Sequence, residues 1–150
     1  MKIKWDLKKV VGFVERLSDE QEFETHLMTA TQNIARVLHK QLLKNTPVDT
    51  GNLRKMWSAG DNLLFTVDKV DGGFEVTLIN AAENKRGMSD MSQPGFMYGW
   101  EVNYGHMSPA GGWVMGRFFV ERSTAETELQ AQKIINKELQ KWFRWCVNGK

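Results

Sequence analysis

The run from Phe23 to Leu43 constrains the fold more than any other part of the chain. Phe23, Leu27, Ala30, Ile34, Val37, Leu38, Leu42 and Leu43 recur at threes and fours, the period of one helix face. Asp19, Glu20, Glu22 and Glu24 crowd its start, while Arg36, Lys40 and Lys44 fill its end, so the charges complement the helix dipole. A helix over residues 19–44 would be about 39 Å long. Ser18 and Asp19 read as its cap, with Gln21 and Glu22 placed for a capping box. Asn45 and Pro47 stop it. The other elements must cover the apolar stripe of this rod.

Those elements are legible in outline. Leu7, Val10, Val11, Val14 and Leu17 give one helical face between Trp5 and Leu17, weakened by Gly12. Leu63, Phe65 and Val67 alternate with polar neighbours, as do Phe74, Val76 and Leu78, and Asp71-Gly72-Gly73 between them signals a hairpin. Residues 81–95 read as a polar loop, with Met88 and Met91 as its sizeable apolar groups. "FMYGWEVNYG" predicts a short helix followed by a strand, and "GHMSPAGGWVMG" a loop held by Pro109 and several glycines. From Arg117 a long helix follows, with Phe119, Ala125, Leu129, Ile135, Leu139, Trp142 and Cys146 as its apolar face. Glu126 and Glu128 lie near its start, Lys137, Lys141 and Arg144 near its end. The expected class is α+β: N-terminal helices including one long helix, a small antiparallel sheet, and a long C-terminal helix packed on that sheet. A chain of 150 residues suits one domain, 1–150.

"TPVDTGNLRK", Thr46 to Lys55, holds the Asp-Thr-Gly triplet of aspartic proteases. A protease Asp must sit between strands, facing a second Asp with which it shares a proton. Here a long helix ends just before the triplet, and the polar, basic "NLRKMW" follows it. A stiff corner explains the stretch better. Pro47 cannot continue a helix and biases Thr46 towards extended backbone. Asp49 or Thr50 can cap a new short helix, placing Leu53 and Trp57 one turn apart on one face. Arg54 and Lys55 then point to solvent or a partner.

This stretch after a long helix resembles a hallmark of the siphophage tail-completion and head–tail joining family. It is also called the minor tail component family, after the tenth gene product of a lambda-like phage. "YGWEVNYGH", a glycine-rich loop and "GRFFVERS" resemble its later block. The motif positions are Thr46, Pro47, Val48, Asp49, Thr50, Gly51 and Leu53, then Tyr104, Gly105, Gly116, Arg117 and Phe119. The resemblance implies a structural protein of the virion, built in the host cytoplasm, without catalysis or cofactor. It implies a ring, six-fold where a tail ends, meeting the tail tube or head connector, with DNA passing through. A monomer in solution is compatible with such a ring. Candidate contact residues are Met88, Met91, Phe96, Tyr98 and Trp100, and at the C-terminus Trp142 and Trp145. Trp145 is the more suggestive of that pair, since Trp142 and Phe143 can serve the core.

Other chemistry finds little support. The net charge of +2 calls for neither nucleic acid nor membrane. Lys2, Lys4, Lys8 and Lys9 at one end, with Lys133, Lys137, Lys141, Arg144 and Lys150 at the other, could contact phosphates if they met, which keeps a DNA-binding module as the alternative. His26, His39 and His106 have no metal-ligand spacing, and His26 and His39 read as helix-surface groups. Cys146, the single cysteine, excludes an intrachain disulfide and sits in an aromatic helix end that suggests packing rather than nucleophilic chemistry. No stretch has the length of a membrane span or the pattern of a signal peptide, so a soluble protein is expected. Six tryptophans and eight methionines are many for this length, and both types are enriched at interfaces.

Overall fold

The long amphipathic run forms a helix of 26 residues, Glu20–Asn45, which is α2 of the chain order below. Asp19 caps it from extended backbone, accepting the Glu22 N–H at 3.1 Å. Ser18 belongs to the preceding helix instead, donating its hydroxyl to Glu15 O. At the far end Thr46 turns extended, and its N–H and Oγ1 both bond Leu42 O, at 2.9 and 2.6 Å. These bonds replace the helical turn that Pro47 forbids.

The computed structural model describes residues 7–48, 53–54, 57, 65–71, 73–78 and 99–149. The order is α1 (Leu7–Leu17), α2 (Glu20–Asn45), β1 (Thr66–Val70), β2 (Gly73–Thr77), α3 (Gly99–Tyr104), β3 (Gly105–Met107), β4 (Trp113–Met115) and α4 (Phe119–Asn148). The class is α+β, as expected. Its strands form two separate antiparallel hairpins rather than one sheet. β1 and β2 pair from Thr66 opposite Thr77 to Val70 opposite Gly73, and Lys69 anchors them to Glu24 on α2. β3 and β4 pair from Gly105 opposite Met115 to Met107 opposite Trp113. The sequence predicts a loop through this second hairpin. Strands of three residues give too few alternations for a period to show.

α4 has 30 residues, about 45 Å of helix, and lies along α2. Its inward row differs from the predicted one. Phe119, Ser123, Thr127, Glu138 and Cys146 are buried, whereas Ala125 faces solvent and Leu129 is 79% exposed. The cause is close helix packing through small residues, with Ala30 and Ala35 buried on α2. The Ser123 and Thr127 hydroxyls donate to carbonyls of their own helix, Phe119 O at 2.6 Å and Ser123 O at 2.7 Å. Thus satisfied, they are buried without an unpaired donor.

The core gathers where the ends of these long helices meet. Leu42, Leu53, Trp57 and Phe119 are buried together, with Leu38, Leu43, Leu78 and Val102 packed against them. Leu53 and Trp57 are helical, as the corner reading expects. Arg54 departs from it. Its Nη2 turns back to Thr46 O and Lys44 O, at 3.1 and 3.3 Å, placing a cation on the exposed carbonyls ending α2. Asp49, Thr50, Gly51 and Lys55 lie outside the described residues.

α1 is tied to the last turns of α4. Arg16 Nε donates to Cys146 O at 2.6 Å, and Phe13 meets Phe143 edge to face with ring centroids 6.0 Å apart. Burial pushes the Cys146 thiol up, which suits packing. The two helical histidines are not bare surface groups. His39 Nε2 hydrogen-bonds Trp57 O, and His26 lies 3.6 Å from the buried carboxylate of Glu138. A hydrogen bond from Lys141 to Glu138 leads the causes holding that carboxyl below its ordinary range, aided by His26 and opposed by burial.

Phe119→Ala should destabilise the protein by about 3–5 kcal/mol, while Leu129→Ala changes stability by less than about 0.5 kcal/mol. Urea denaturation of both variants checks the register of α4; the reverse order would contradict it. Glu138 supplies a second check. Its folded pKa is lowered, so its contribution is present above the unfolded value of about 4.3 and lost as pH falls through the folded value. Glu138→Gln should therefore flatten the loss of stability on acidification, and a slope equal to that of the parent protein would refute this.

Candidate functional site

Asn103 organises the region where α3, the second hairpin and α4 converge. It is 2% exposed, yet every polar atom of its side chain is engaged. Oδ1 accepts the Val120 N–H at 3.0 Å, and Nδ2 donates to both Glu121 carboxylate oxygens, at 3.1 and 2.9 Å. Two main-chain bonds reinforce it: Phe118 N to Asn103 O at 2.9 Å and Arg117 N to Val102 O at 3.0 Å. The residue before α4, Phe118, has φ 49° and makes no side-chain cap bond of its own. Asn103 thus caps α4 from a distant segment, answering a first-turn N–H that the helix cannot satisfy itself.

Two glycines make this approach possible. A Cβ on Gly116 would stand 2.4 Å from Asn103 O and from the Tyr104 carbonyl carbon. Gly105 has φ 95°, and a Cβ there would lie 2.5 Å from Val114 O. No other residue fits either place without moving backbone. The motif positions Tyr104, Gly105, Gly116, Arg117 and Phe119 therefore converge on one lock. Leu53 of the earlier block adjoins it: its Cδ1 would be 3.2 Å from a Cβ on Gly99, at the start of α3. Thr46 is buried at the end of α2, while Val48 is exposed.

The lock holds an apolar platform in the open. Trp100 is 72% exposed, Trp113 59% and Met115 73%, joined by exposed Tyr104, Met107 and Phe118. Trp100 and Tyr104 have ring centroids 4.4 Å apart, and Tyr104 and Phe118 6.3 Å. Met107 and Trp113 are cross-strand partners, so Trp113 and Met115 share one hairpin face with Met107. Glu121 lies beside Asn103 and Tyr104. Burial raises its pKa, but hydrogen bonds from Tyr104 and Asn103 together outweigh that and hold it below normal. The same Glu121 contact raises the Tyr104 phenol.

Of the residues picked out by sequence as contacts, Trp100 falls on this platform. Met88, Met91, Phe96 and Tyr98 lie outside the described residues. At the other end of α4 the expected order is altered. Phe143 is 51% exposed, while Trp142 and Trp145 are half-buried and Trp142 meets Phe23 at a tilt, with ring centroids 4.9 Å apart. Sequence reasoning missed Asn103, Trp113, Met115, Met107 and Phe118. The aromatic and methionine content around "HM" and "WVM" was the available signal, hidden by reading the segment as loop.

No group of acidic, histidine or cysteine side chains among the described residues could hold a metal ion. No helix among them is long and apolar enough to cross a membrane. Before the Asp-Thr-Gly triplet α2 ends at Asn45 and residues 46–48 are not helical, and after it Leu53 and Arg54 are helical.

A family model described as "Bacteriophage HK97-gp10, putative tail-component" matches residues 8–105 of the 150. The match contains the Thr46–Lys55 block and runs to Gly105, ending before Gly116–Phe119. No curated protein and no solved structure matches the chain.

Asn103→Ala should cost about 1–3 kcal/mol, because it removes a buried carboxamide and strands both the Val120 N–H and the Glu121 carboxylate. Hydrogen exchange should quicken in the first turn of α4 and remain slow in α2. Unchanged protection at Val120 would show that the cap is not needed.

Proposed function

The chain belongs to the HK97-gp10-like family of phage tail components, and from that premise we propose that it is a structural protein of the head–tail junction or tail end. It forms or completes a ring in the virion and meets the tail tube or head connector, with no catalytic step. The exposed platform of Trp100, Tyr104, Met107, Trp113, Met115 and Phe118 is the observation that carries this reading.

Exposed apolar side chains gathered in one place mark an interaction surface more often than a solvated one. Tryptophan, tyrosine, phenylalanine and methionine are the types enriched at the centres of interfaces. A platform fixed by hydrogen bonds and required glycines also loses little conformational freedom when a partner arrives. Of the basic residues that a phosphate-binding alternative would use, Lys141 faces the carboxylate of Glu138.

Trp100→Ser tests the reading in a phage that depends on this chain. The variant should keep its circular dichroism and melting temperature, since the side chain lies largely in solvent. Infectious yield should fall by about tenfold or more, consistent with loss of a contact worth on the order of 2 kcal/mol, and unjoined heads and tails should accumulate in micrographs. Normal yield from the folded variant would remove the platform from the assembly role.

A further inference from the structure

β4 is an edge strand without the usual protection. Trp113, Val114 and Met115 are all exposed and all apolar, with no charge, proline or bulge among them. The Ser108 N–H bonds Gly112 O at 2.7 Å, so Ser108 and Gly112 occupy a hydrogen-bonded position of the hairpin. The register then makes His106–Val114 a second such position, and Met107–Trp113 and Gly105–Met115 the non-bonded ones that alternate with them. The N–H and C=O of Trp113 and Met115 therefore point away from β3. Among the described residues no hydrogen bond engages them.

An extended segment laid along β4 finds two things at once. Every second residue of the strand offers it a main-chain donor and acceptor, and Trp113, Met115 and Met107 offer its alternate side chains one apolar row. The charge it should carry is indicated at the strand's end. Arg117, two residues past Met115, is exposed and pairs with no carboxylate among the described residues. Glu121 is engaged instead by Asn103 and Tyr104. A second copy of β4 would not answer Arg117, because residues 108–118 contain no carboxylate.

We propose that β4 accepts a strand from another virion protein: an extended segment with apolar residues at alternate positions and an aspartate or glutamate at the end that meets Arg117. This rests on the reading of the platform as an assembly surface and names the kind of partner that binds it. The added strand turns an isolated pair into a sheet of three and satisfies main-chain groups otherwise left to water. Main-chain bonds supply the affinity, and the alternation of side chains sets the register.

The probes are two blocked hexapeptides, Thr-Val-Thr-Val-Asp-Asp and Asp-Asp-Val-Thr-Val-Thr, which offer the same chemistry in either strand direction. Each is added to the full chain and followed by amide hydrogen exchange. With one of them, exchange at Trp113 and Met115 should slow by about tenfold or more. The same peptide N-methylated at every residue cannot donate and should have no effect. Arg117→Glu should weaken binding by about tenfold. No slowing with either peptide, equal slowing by the N-methylated one, or unchanged affinity of the Arg117→Glu variant overturns the proposal. Met115→Pro carries the test into the phage, since it removes an outward N–H that the hairpin does not use. Its circular dichroism should be unchanged and infectious yield should fall by about tenfold or more; Trp113→Pro replaces it if it unfolds. Normal yield here, beside a loss from Trp100→Ser, discards strand addition and leaves the assembly reading standing. Normal yield from both discards both. A dimer in sedimentation velocity that Met115→Pro abolishes would give the edge to a second copy and overturn the proposal as well.

Discussion

The carboxamide of Asn103 is buried beneath the first turn of α4, bonded to Val120 N on one side and to the Glu121 carboxylate on the other. Much of the architecture depends on this insertion. A helix of 30 residues begins after a left-handed residue that offers no side-chain cap. Without Asn103, a first-turn N–H would be left unanswered beside the core that Phe119 enters. With it, the end of α3 and the start of α4 become one rigid piece, and the short β3–β4 hairpin is held between them. The absence of a side chain at Gly116 is part of the same device, because the Asn103 backbone occupies that space.

A related device closes the other long helix at the same place. Arg54 returns to the last carbonyls of α2, as Asn103 reaches the first amides of α4. Leu42 and Leu43 from the end of α2, Leu53 and Trp57 from the turn after it, and Phe119 from the start of α4 fill the space between. The core is therefore a junction of helix termini. Midway, α2 and α4 present small residues and hydroxyls satisfied inside their own helix, and at the far end Phe23 meets Trp142. The buried apolar cluster lies at the junction, and the platform is built beside it.

Sequence reasoning reached the elements whose periods are long enough to read. α2 could be read to within a residue or two, cap included, because its apolar stripe and its charge gradient agree. The Asp71-Gly72-Gly73 turn gave the first hairpin. The short helix α3 was legible in "FMYGWEVNYG", but the strand expected after it was placed too early, since β3 is Gly105–Met107, within the predicted loop. Failures came where a side chain's surroundings mattered more than its type. Ser123 and Thr127 are buried although polar, because each hydroxyl has a carbonyl one turn back. Leu129 is exposed although apolar, because α2 does not cover that face. Asn103 and Val120 are 17 residues apart, and nothing in either neighbourhood announces that one will cap the other. The second hairpin was hidden by its brevity, and with it most of the platform.

The position of the exposed side chains bears on function more than their number does. Scattered apolar groups are ordinary on a protein surface. Here most of them, Leu129 apart on α4, lie towards the two ends of one continuous helix, each end braced by a separate contact: Asn103 at the start, Arg16 at the finish. A helix advances 1.5 Å and turns about 100° per residue, so α4 fixes both the distance and the angle between the two ends. A protomer of a ring needs that kind of fixed geometry, wherever its contacts lie. A flexible connection would let each step rotate, and successive copies would not close on a common axis. Two buried polar groups of α4 serve the same end, since Ser123 accepts from Asn45 and Glu138 faces His26, contacts that cross to α2 and resist sliding of the two helices. Rigidity between two separated apolar ends is what this fold supplies, and the assembly of a phage tail is a process that can use it.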